Sequence, residues 1–193
     1  MITSSSHTYS KGNLDFVNRN TANKFNVKRF TQKGQIQIYK SSYRGSYPSI
    51  IRDSLRNAAL GRKVLLIQFM KGGVKQGIDN AVKLCGNLTW VRPSHSFDQY
   101  NSEEIENNKN LKQSIYKSTV ELWNFCKKEL QSGNKDQIIL DEIFLAIEMK
   151  IIDKDDLIST LENRFISGDV ILTGTDIPKD LLLMANQITE LRS

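Results

Sequence analysis

The stretch KVLLIQFMKGG, residues 63–73, decides the fold of this chain. Residues 64–70 are apolar except for Gln68, and two glycines follow at 72 and 73. A short continuous apolar run is typical of a central strand in a parallel sheet, because helices cover both faces of such a sheet. The run is far shorter than the ~18 apolar residues of a membrane-spanning helix, so the sequence predicts no membrane span.

Strands and helices alternate on both sides of this stretch. Further strands are predicted at 34–40, 88–91, 137–143 and 169–174, with a last strand or tail at 187–193. Helices are predicted at 49–61, 78–85, 103–132, 144–152, 153–164 and 176–186. Pro48 fits the first turn of the first helix, and Asp153 fits the N-cap of the fifth. This order predicts an α/β fold with a doubly wound, mostly parallel sheet.

The first 33 residues differ in composition from the rest. Residues 1–26 are rich in Ser, Asn and Thr and show neither a helical nor a strand period, which predicts a disordered or loosely docked tail. They lack the apolar core of a secretory signal, while an organelle transit segment remains an alternative. We therefore expect a basic N-terminal tail over 1–33 and one α/β domain over 34–193.

Charge is unevenly distributed. The net charge is +6, but residues 1–63 carry six Lys and six Arg against Asp15 and Asp53, and the remainder is acidic overall. The basic part could face phosphates, an acidic protein partner or the acidic half of the same chain. The basic residues form no repeat with aromatic residues, which argues against a nucleic-acid-binding surface.

Cysteines and histidines are few. Two isolated cysteines, Cys85 and Cys126, cannot build a disulfide framework and predict a reducing compartment. We expect the cytoplasm, with an organelle stroma or matrix as the alternative. With only His7 and His95 in addition, the sequence argues against a structural zinc site.

Ligands of doubly wound sheets bind outside the carboxyl ends of the strands. That rule selects four loops, at 41–48, 71–77, 141–143 and 173–177. Each loop has two interpretations. Residues 41–48 form a phosphate loop or a surface turn. The acids Asp141 and Glu142 bind magnesium or interact favourably with the dipole at a helix N-terminus. Thr173 senses a phosphate or caps a helix, and Lys71 approaches an anion or is solvated.

Taken in order, these segments resemble the P-loop type of ATP:corrinoid adenosyltransferase. The resemblance covers about 34–193 and rests on GQIQIY, LRNAALGRKVLLIQFMKGG, IILDEI, LENR and VILTGTDIPKDLLLMANQITELRS. It implies a P-loop NTPase-like (RecA-like) three-layer sandwich. It also implies transfer of the 5′-deoxyadenosyl group of ATP to the cobalt of a reduced corrinoid, with magnesium required and triphosphate leaving, and a homodimer.

The resemblance assigns roles to particular residues. It places nucleotide binding on Arg44, Gly45, Ser46, Lys71, Thr173 and Gly174, and magnesium binding on Asp141 and Glu142; it gives no catalytic residue. The family's loop reads TGNGKGKTT, whereas this chain has KSSYRGSYP at 40–48. Ser46 stands at the position of the phosphate-binding lysine and Tyr47 at that of the magnesium-binding hydroxyl.

Further departures follow. Residues 92–101 offer only Phe97 and Tyr100 where the family has an aromatic loop facing the corrin, and the chain stops at Ser193, before the family's C-terminal tail. These departures predict a protein that has lost adenosyl transfer and acts as a binding or scaffold protein. One alternative is an active transferase whose unusual loop uses Lys40, Arg44 and the helix N-terminus. Another is a nucleotide or anion sensor without transfer chemistry.

Overall fold

A computed structural model describes residues 33–43, 48–71, 76–94 and 108–191. The predictions made for the tail, for Arg44, Gly45 and Ser46, and for the aromatic positions of 95–101 lie outside these residues. Within them, seven strands form one sheet: β1 (Ile36–Ser41), β2 (Val64–Gln68), β3 (Val82–Leu84), β4 (Leu88–Val91), β5 (Gln137–Asp141), β6 (Asp169–Gly174) and β7 (Gln187–Leu191).

The strand order across the sheet is β3-β4-β2-β5-β6-β1-β7. Every neighbouring pair is parallel except β3 with β4. Strand β2 lies between β4 and β5 and is buried along its whole length, as its continuous apolar sequence predicts. The expectation of an α/β fold with a mostly parallel sheet is therefore confirmed.

Helices pack on both faces of the sheet. In the described part of the chain they are α1 (Pro48–Ala59), α2 (Lys109–Ser132), α3 (Ile143–Glu148), α4 (Lys154–Glu162) and α5 (Lys179–Met184). None of them has both the length and the apolar character that crossing a bilayer requires. Alternation along β2 divides the core: Val64 and Leu66 pack with α1, whereas Leu65 and Ile67 pack with the other helices.

Caps fix the helix ends largely as the sequence predicts. The Asp153 carboxylate accepts hydrogen bonds from the backbone N–H groups of Asp155 and Asp156, so the predicted N-cap of α4 is confirmed. Gly133 ends α2 with φ 68°, a conformation that glycine adopts without the steric cost other residues meet. Pro48 is the first residue of α1, where its missing N–H leaves no helical bond unmade.

The helix predicted at 78–85 is wrong. Residues 78–80 form a bend and a turn, and β3 follows, antiparallel to β4 with Val82 opposite Trp90. The apolar residues Ile78, Ala81 and Leu84 fit a helical period, but β3 pairs with the edge of β4 over three residues, from Val82 to Leu84. Pairing with β4 therefore overrides the local pattern.

Several predicted boundaries also need correction. Helix α2 begins at Lys109, because Asn108 has an extended backbone and its side chain caps Leu111 N; residues 103–107 lie outside the described part of the chain. The strand predicted to end at 143 stops at Asp141, and α3 ends at Glu148 rather than 152. Helix α5 is shorter than the predicted 176–186.

Candidate functional site

The carboxyl ends of β2, β5 and β6 meet at one edge of the sheet and carry a buried polar cluster. Gln68 ends β2 and lies in register with Asp141, which ends β5. Thr173 lies in β6, in register with Tyr39 of the next strand, β1. All three polar side chains are buried, so their position at a parallel-sheet edge combines with enclosure away from water.

Asp141 is the centre of this cluster. Its Oδ2 accepts a hydrogen bond of 2.6 Å from Gln68 Nε2, and its Oδ1 accepts one of 2.7 Å from Thr173 Oγ1. A buried carboxylate needs such partners, because an unpaired charge in the interior is costly. Only 3% of Asp141 is exposed, so these two bonds hold its carboxylate in a fixed orientation.

Glu142 follows with an unusual backbone. Its φ of 61° and ψ of 27° place a non-glycine residue in the left-handed region, directly before α3. The Glu142 N–H donates to Thr173 Oγ1 at 2.9 Å, so the threonine hydroxyl joins both acids. This turn places the Glu142 side chain in the interior, with only 2% of the residue exposed. Such local strain is often found at functional sites.

The cluster extends toward β4 through Gln68. Gln68 Oε1 accepts hydrogen bonds of 2.9 Å from Trp90 Nε1 and from Arg92 Nε. The Arg92 guanidinium also lies over the Trp90 ring, 4.4 Å from its centroid, in a cation–π contact. Burial lowers the pKa of Arg92 below its ordinary value, and the charge of Asp141 offsets part of this effect. The Arg92 guanidinium is therefore held in place, and the Gln68 side chain links it to the Asp141 carboxylate.

The position of the phosphate loop is described only at its two ends. On one side, β1 continues through Ser41, which is buried and pairs with Leu191 of β7. The Ser41 hydroxyl accepts a 3.4 Å hydrogen bond from Tyr43 N, and Tyr43 is 54% exposed. On the other side, α1 begins at Pro48, which has no N–H to offer a ligand.

The remaining predicted site residues differ in their surroundings. Lys71 is partly exposed three residues after β2. Thr173 is fully buried, and its hydroxyl is bound to the two acids. Gly174 packs against Phe144 of α3, and a Cβ added there would lie 2.7 Å from the Phe144 ring. This close approach explains the glycine by packing alone, whereas the nucleotide-binding role of these three residues stays a prediction.

The acids fit magnesium when phosphate is also present. Mg²⁺ prefers oxygen ligands and is usually held by one or two carboxylates together with phosphate oxygens and waters. Each Asp141 oxygen accepts one hydrogen bond here and keeps a second lone pair. The described residues contain no group of three or more His, Cys, Asp or Glu able to hold a metal by itself. Asp141 and Glu142 would thus hold Mg²⁺ only with further ligands, and the ion would neutralise phosphate charge.

Sequence reasoning missed the contributions of Trp90 and Arg92. It placed Trp90 in a strand and Arg92 in a loop without assigning either a role. The signal was present, since Arg92 comes directly after β4 and so belongs to the same carboxyl edge as Gln68 and Asp141. What the sequence did not reveal is that Gln68 would link the strands through both ends of its amide.

Comparison with known proteins identifies the family of this chain. The family model described as "ATP:corrinoid adenosyltransferase BtuR/CobO/CobP" matches residues 32–193. A corrinoid adenosyltransferase of Escherichia coli is 24% identical over 162 residues, covering 83% of this chain and 78% of the relative. The corrinoid adenosyltransferase CobA of Salmonella typhimurium is 22% identical over 169 residues, with the same two shares.

A third relative is much longer than this chain. An uncharacterized protein of Nostoc sp. is 23% identical over 170 residues, which cover 82% of this chain and 44% of the relative. The family match extends over all the described strands, from β1 to β7, and includes the buried cluster around Asp141. By its sequence and by the parallel sheet that carries this cluster, the chain belongs to the ATP:corrinoid adenosyltransferase family.

Proposed function

We propose that this chain binds a corrinoid but does not transfer an adenosyl group from ATP, and that it acts as a binding or scaffold protein. The observation that carries the proposal is the phosphate-loop segment SSYRGSYP at 41–48, in which no lysine follows Gly45 and a proline opens α1. The proposal therefore separates two abilities of the family: recognition of the corrinoid and activation of ATP.

The loop segment lacks what triphosphate binding requires. A phosphate loop uses glycines for close backbone approach, a lysine for charge and a hydroxyl residue for magnesium. Here Ser41 is buried within β1 and Pro48 supplies no N–H. Removing one preorganised donor from an oxyanion site typically reduces turnover by about 10²–10³. Losing the lysine and the metal-binding hydroxyl together should reduce transfer to a level below detection.

The buried acids are compatible with a purely structural role. Asp141 has a hydrogen-bond donor on each oxygen, and the Thr173 hydroxyl joins β6 to the turn after β5. Such a network stabilises the sheet edge whether or not a metal binds. Its presence therefore does not require a working ATP site.

One observation favours an active transferase as the second candidate. The two acids keep the oxygen chemistry that magnesium needs, and Asp141 is held in a fixed orientation by Gln68 and Thr173. In this alternative, Lys40, Arg44 and the N-terminus of α1 hold the triphosphate in place of the missing lysine. Phosphate binding at a helix N-terminus has a sound electrostatic basis.

The test combines binding with transfer. Purified protein is mixed with chemically reduced cob(I)alamin, ATP and Mg²⁺, and adenosylation is followed by absorbance, while calorimetry measures corrinoid and ATP binding separately. We expect corrinoid binding without turnover. Turnover that Glu142→Gln abolishes and that the exposed control Glu148→Gln leaves intact would establish the active enzyme instead. Saturable ATP binding without turnover would establish a nucleotide sensor.

A non-catalytic role gives the charge asymmetry a use. Residues 1–63 carry a strongly basic balance, whereas the rest of the chain is acidic overall. In this role the basic stretch would attract an acidic protein partner through long-range electrostatics. Binding to such a partner would weaken steeply as salt rises from 50 to 300 mM. These values are chosen for the assay because they shorten the Debye length from roughly 14 to 6 Å. Binding that does not change with salt would contradict the electrostatic role.

A further inference from the structure

The orientation of the Gln68 side-chain amide is dictated from the side of β4. Trp90 Nε1 and Arg92 Nε each donate to Gln68 Oε1 at 2.9 Å. An indole and a guanidinium carry donors only, and an amide oxygen has two lone pairs, so these two bonds use both of them. A flipped amide would turn its NH₂ group against two N–H donors. Gln68 Nε2 therefore faces Asp141.

The register of the sheet makes this arrangement a property of the fold. Ile67 of β2 lies opposite Val91 of β4, so the next residue of each strand, Gln68 and Arg92, emerges beside the other. On its other side Gln68 lies in register with Asp141 of β5. The amide thus spans three neighbouring strands, and regular strand pairing sets its surroundings.

The Asp141 carboxylate meets a donor hydrogen on each oxygen. Gln68 Nε2 donates to Oδ2 at 2.6 Å. The Thr173 hydroxyl accepts from the Glu142 N–H, so its own hydrogen is directed to Asp141 Oδ1 at 2.7 Å. Hydrogen bonds of this kind stabilise a buried carboxylate without a cation. A divalent cation would have to share or displace donors that already hold both oxygens.

The charge of Arg92 acts in the same direction. Its guanidinium is held by the bond to Gln68 and by its position 4.4 Å from the centroid of the Trp90 ring. Burial lowers the pKa of Arg92 and the charge of Asp141 raises it in part, so the two charges interact across the Gln68 amide. A divalent cation at Asp141 would therefore be repelled by Arg92, and partial burial leaves that repulsion less screened than in water.

We infer that Trp90 and Arg92 are positioning residues that hold the Gln68 amide as a donor to Asp141, and that they thereby keep the affinity of Asp141 and Glu142 for a divalent cation low. This inference rests on the proposed loss of ATP activation and deepens it, because it names a second cause outside the phosphate-loop segment. The two acids remain in place, and the end of β4 makes them poor cation ligands.

The experiment measures cation affinity directly, with Mn²⁺ alone as the probe. Electron paramagnetic resonance of free Mn²⁺ gives its dissociation constant from the full chain without ATP or a corrinoid. Arg92→Met removes the charge and the Nε donor but keeps an unbranched side chain over Trp90. We expect Mn²⁺ to bind this variant about threefold to tenfold more tightly than the wild type. Arg56→Met removes the same charge from an exposed position in the last turn of α1 and should leave the wild-type value unchanged.

The expected sign separates positioning from a merely structural role. A variant that only loosened the sheet edge would bind Mn²⁺ more weakly, whereas Arg92→Met should bind it more tightly. Trp90→Phe keeps the aromatic ring and removes one donor to Gln68 Oε1. It should also tighten binding, by a smaller factor, and it decides the matter if urea denaturation shows that Arg92→Met is not folded. Adding Glu142→Gln should abolish the gain of either variant, because the cation then lies at the acids.

The outcomes separate the inference from the proposed function. Tighter Mn²⁺ binding in Arg92→Met or Trp90→Phe that Glu142→Gln removes supports the inference. An affinity that is unchanged or weaker in both variants overturns it, and so does a gain that survives Glu142→Gln. Adenosyl transfer from ATP by the wild-type protein would overturn the proposed function instead, since the Mn²⁺ measurement contains neither ATP nor a corrinoid.

Discussion

The Thr173 hydroxyl donates a 2.7 Å hydrogen bond to Asp141 Oδ1 and accepts one of 2.9 Å from the Glu142 N–H. One side chain from β6 thus fixes both the carboxylate that ends β5 and the strained turn that follows it. Both bonds are buried. The geometry of the two acids, at and after the end of β5, therefore depends on a residue of the neighbouring strand β6.

Thr173→Val should destabilise the protein by about 1–3 kcal/mol, because it leaves the Asp141 carboxylate and the Glu142 N–H each without one buried partner at almost unchanged volume. Urea denaturation measures the change. Thr173→Ser keeps the hydroxyl and is the matched control, with a smaller loss from the missing methyl group. Equal losses in the two variants would show that packing, and not the hydroxyl, holds this turn.

Gln68→Leu should cost about 3 kcal/mol or more, because Trp90 Nε1, Arg92 Nε and Asp141 Oδ2 each lose a partner. The Trp90 fluorescence should change at the same time. Gln187→Leu on the exposed edge strand β7 is the control and should leave both stability and fluorescence near the wild-type values. A Gln68→Leu protein as stable as the control would mean that these contacts contribute no net stability.

Gly174→Ala should destabilise the protein by about 1–3 kcal/mol through overpacking, since the new Cβ would lie 2.7 Å from the Phe144 ring. Phe144→Leu removes the ring but keeps the Phe144 Cβ, which would lie 2.8 Å from the new Cβ, so the double variant should recover only part of that loss. A double-mutant cycle measured by thermal unfolding isolates the coupling. Additive effects would contradict the packing explanation of this glycine.

Cys126 should resist thiol reagents in the native protein while Cys85 reacts. Cys126 is fully buried and Cys85 is exposed. Burial, with a smaller contribution from Glu129, raises the pKa of Cys126 well above the ordinary value of a thiol. The chain contains these two cysteines. The native protein should therefore react with one equivalent of Ellman's reagent, and the protein unfolded in guanidinium should react with two. Two fast equivalents under native conditions would contradict the buried placement.

The same shift gives a pH dependence of stability. The folded thiol holds its proton at pH values where the unfolded thiol has lost it, so stability is fully present below about pH 9 and falls as pH rises above it. Cys126→Ala, measured by urea denaturation between pH 8 and 10 (a range chosen around the thiol's ordinary pKa), should lose this component of the pH dependence. An unchanged slope in the variant would assign it to other groups.

The sequence predicts most of this fold because its strands carry strong local patterns. The apolar runs of β2 and β5 and the alternation in β1 identify strands wherever they pack, and Pro48 and Asp153 mark helix starts through backbone chemistry. The prediction for residues 78–85 fails for the opposite reason. Their apolar spacing fits a helix, and the strand forms because of pairing with β4, which the local sequence does not contain.

The site was predictable in part. The rule that ligands bind at the carboxyl ends of strands brings Gln68, Asp141 and Thr173 together without any contact information. The rule does not show that Gln68 links three strands or that Arg92 stacks on Trp90. These facts depend on side-chain orientations that are set by packing between distant segments.

The position of β1 in the sheet also governs how the protein is made. Gln37 lies in register with Ile171 of β6 on one side and with Gln187 of β7 on the other. A ribosome releases the chain from its N-terminus, so β1 emerges first and meets neither neighbour until residues 169–174 have been synthesised. The strand leading into the phosphate-loop position is therefore fixed late, and translation that stops before β6 leaves that part of the site unbuilt.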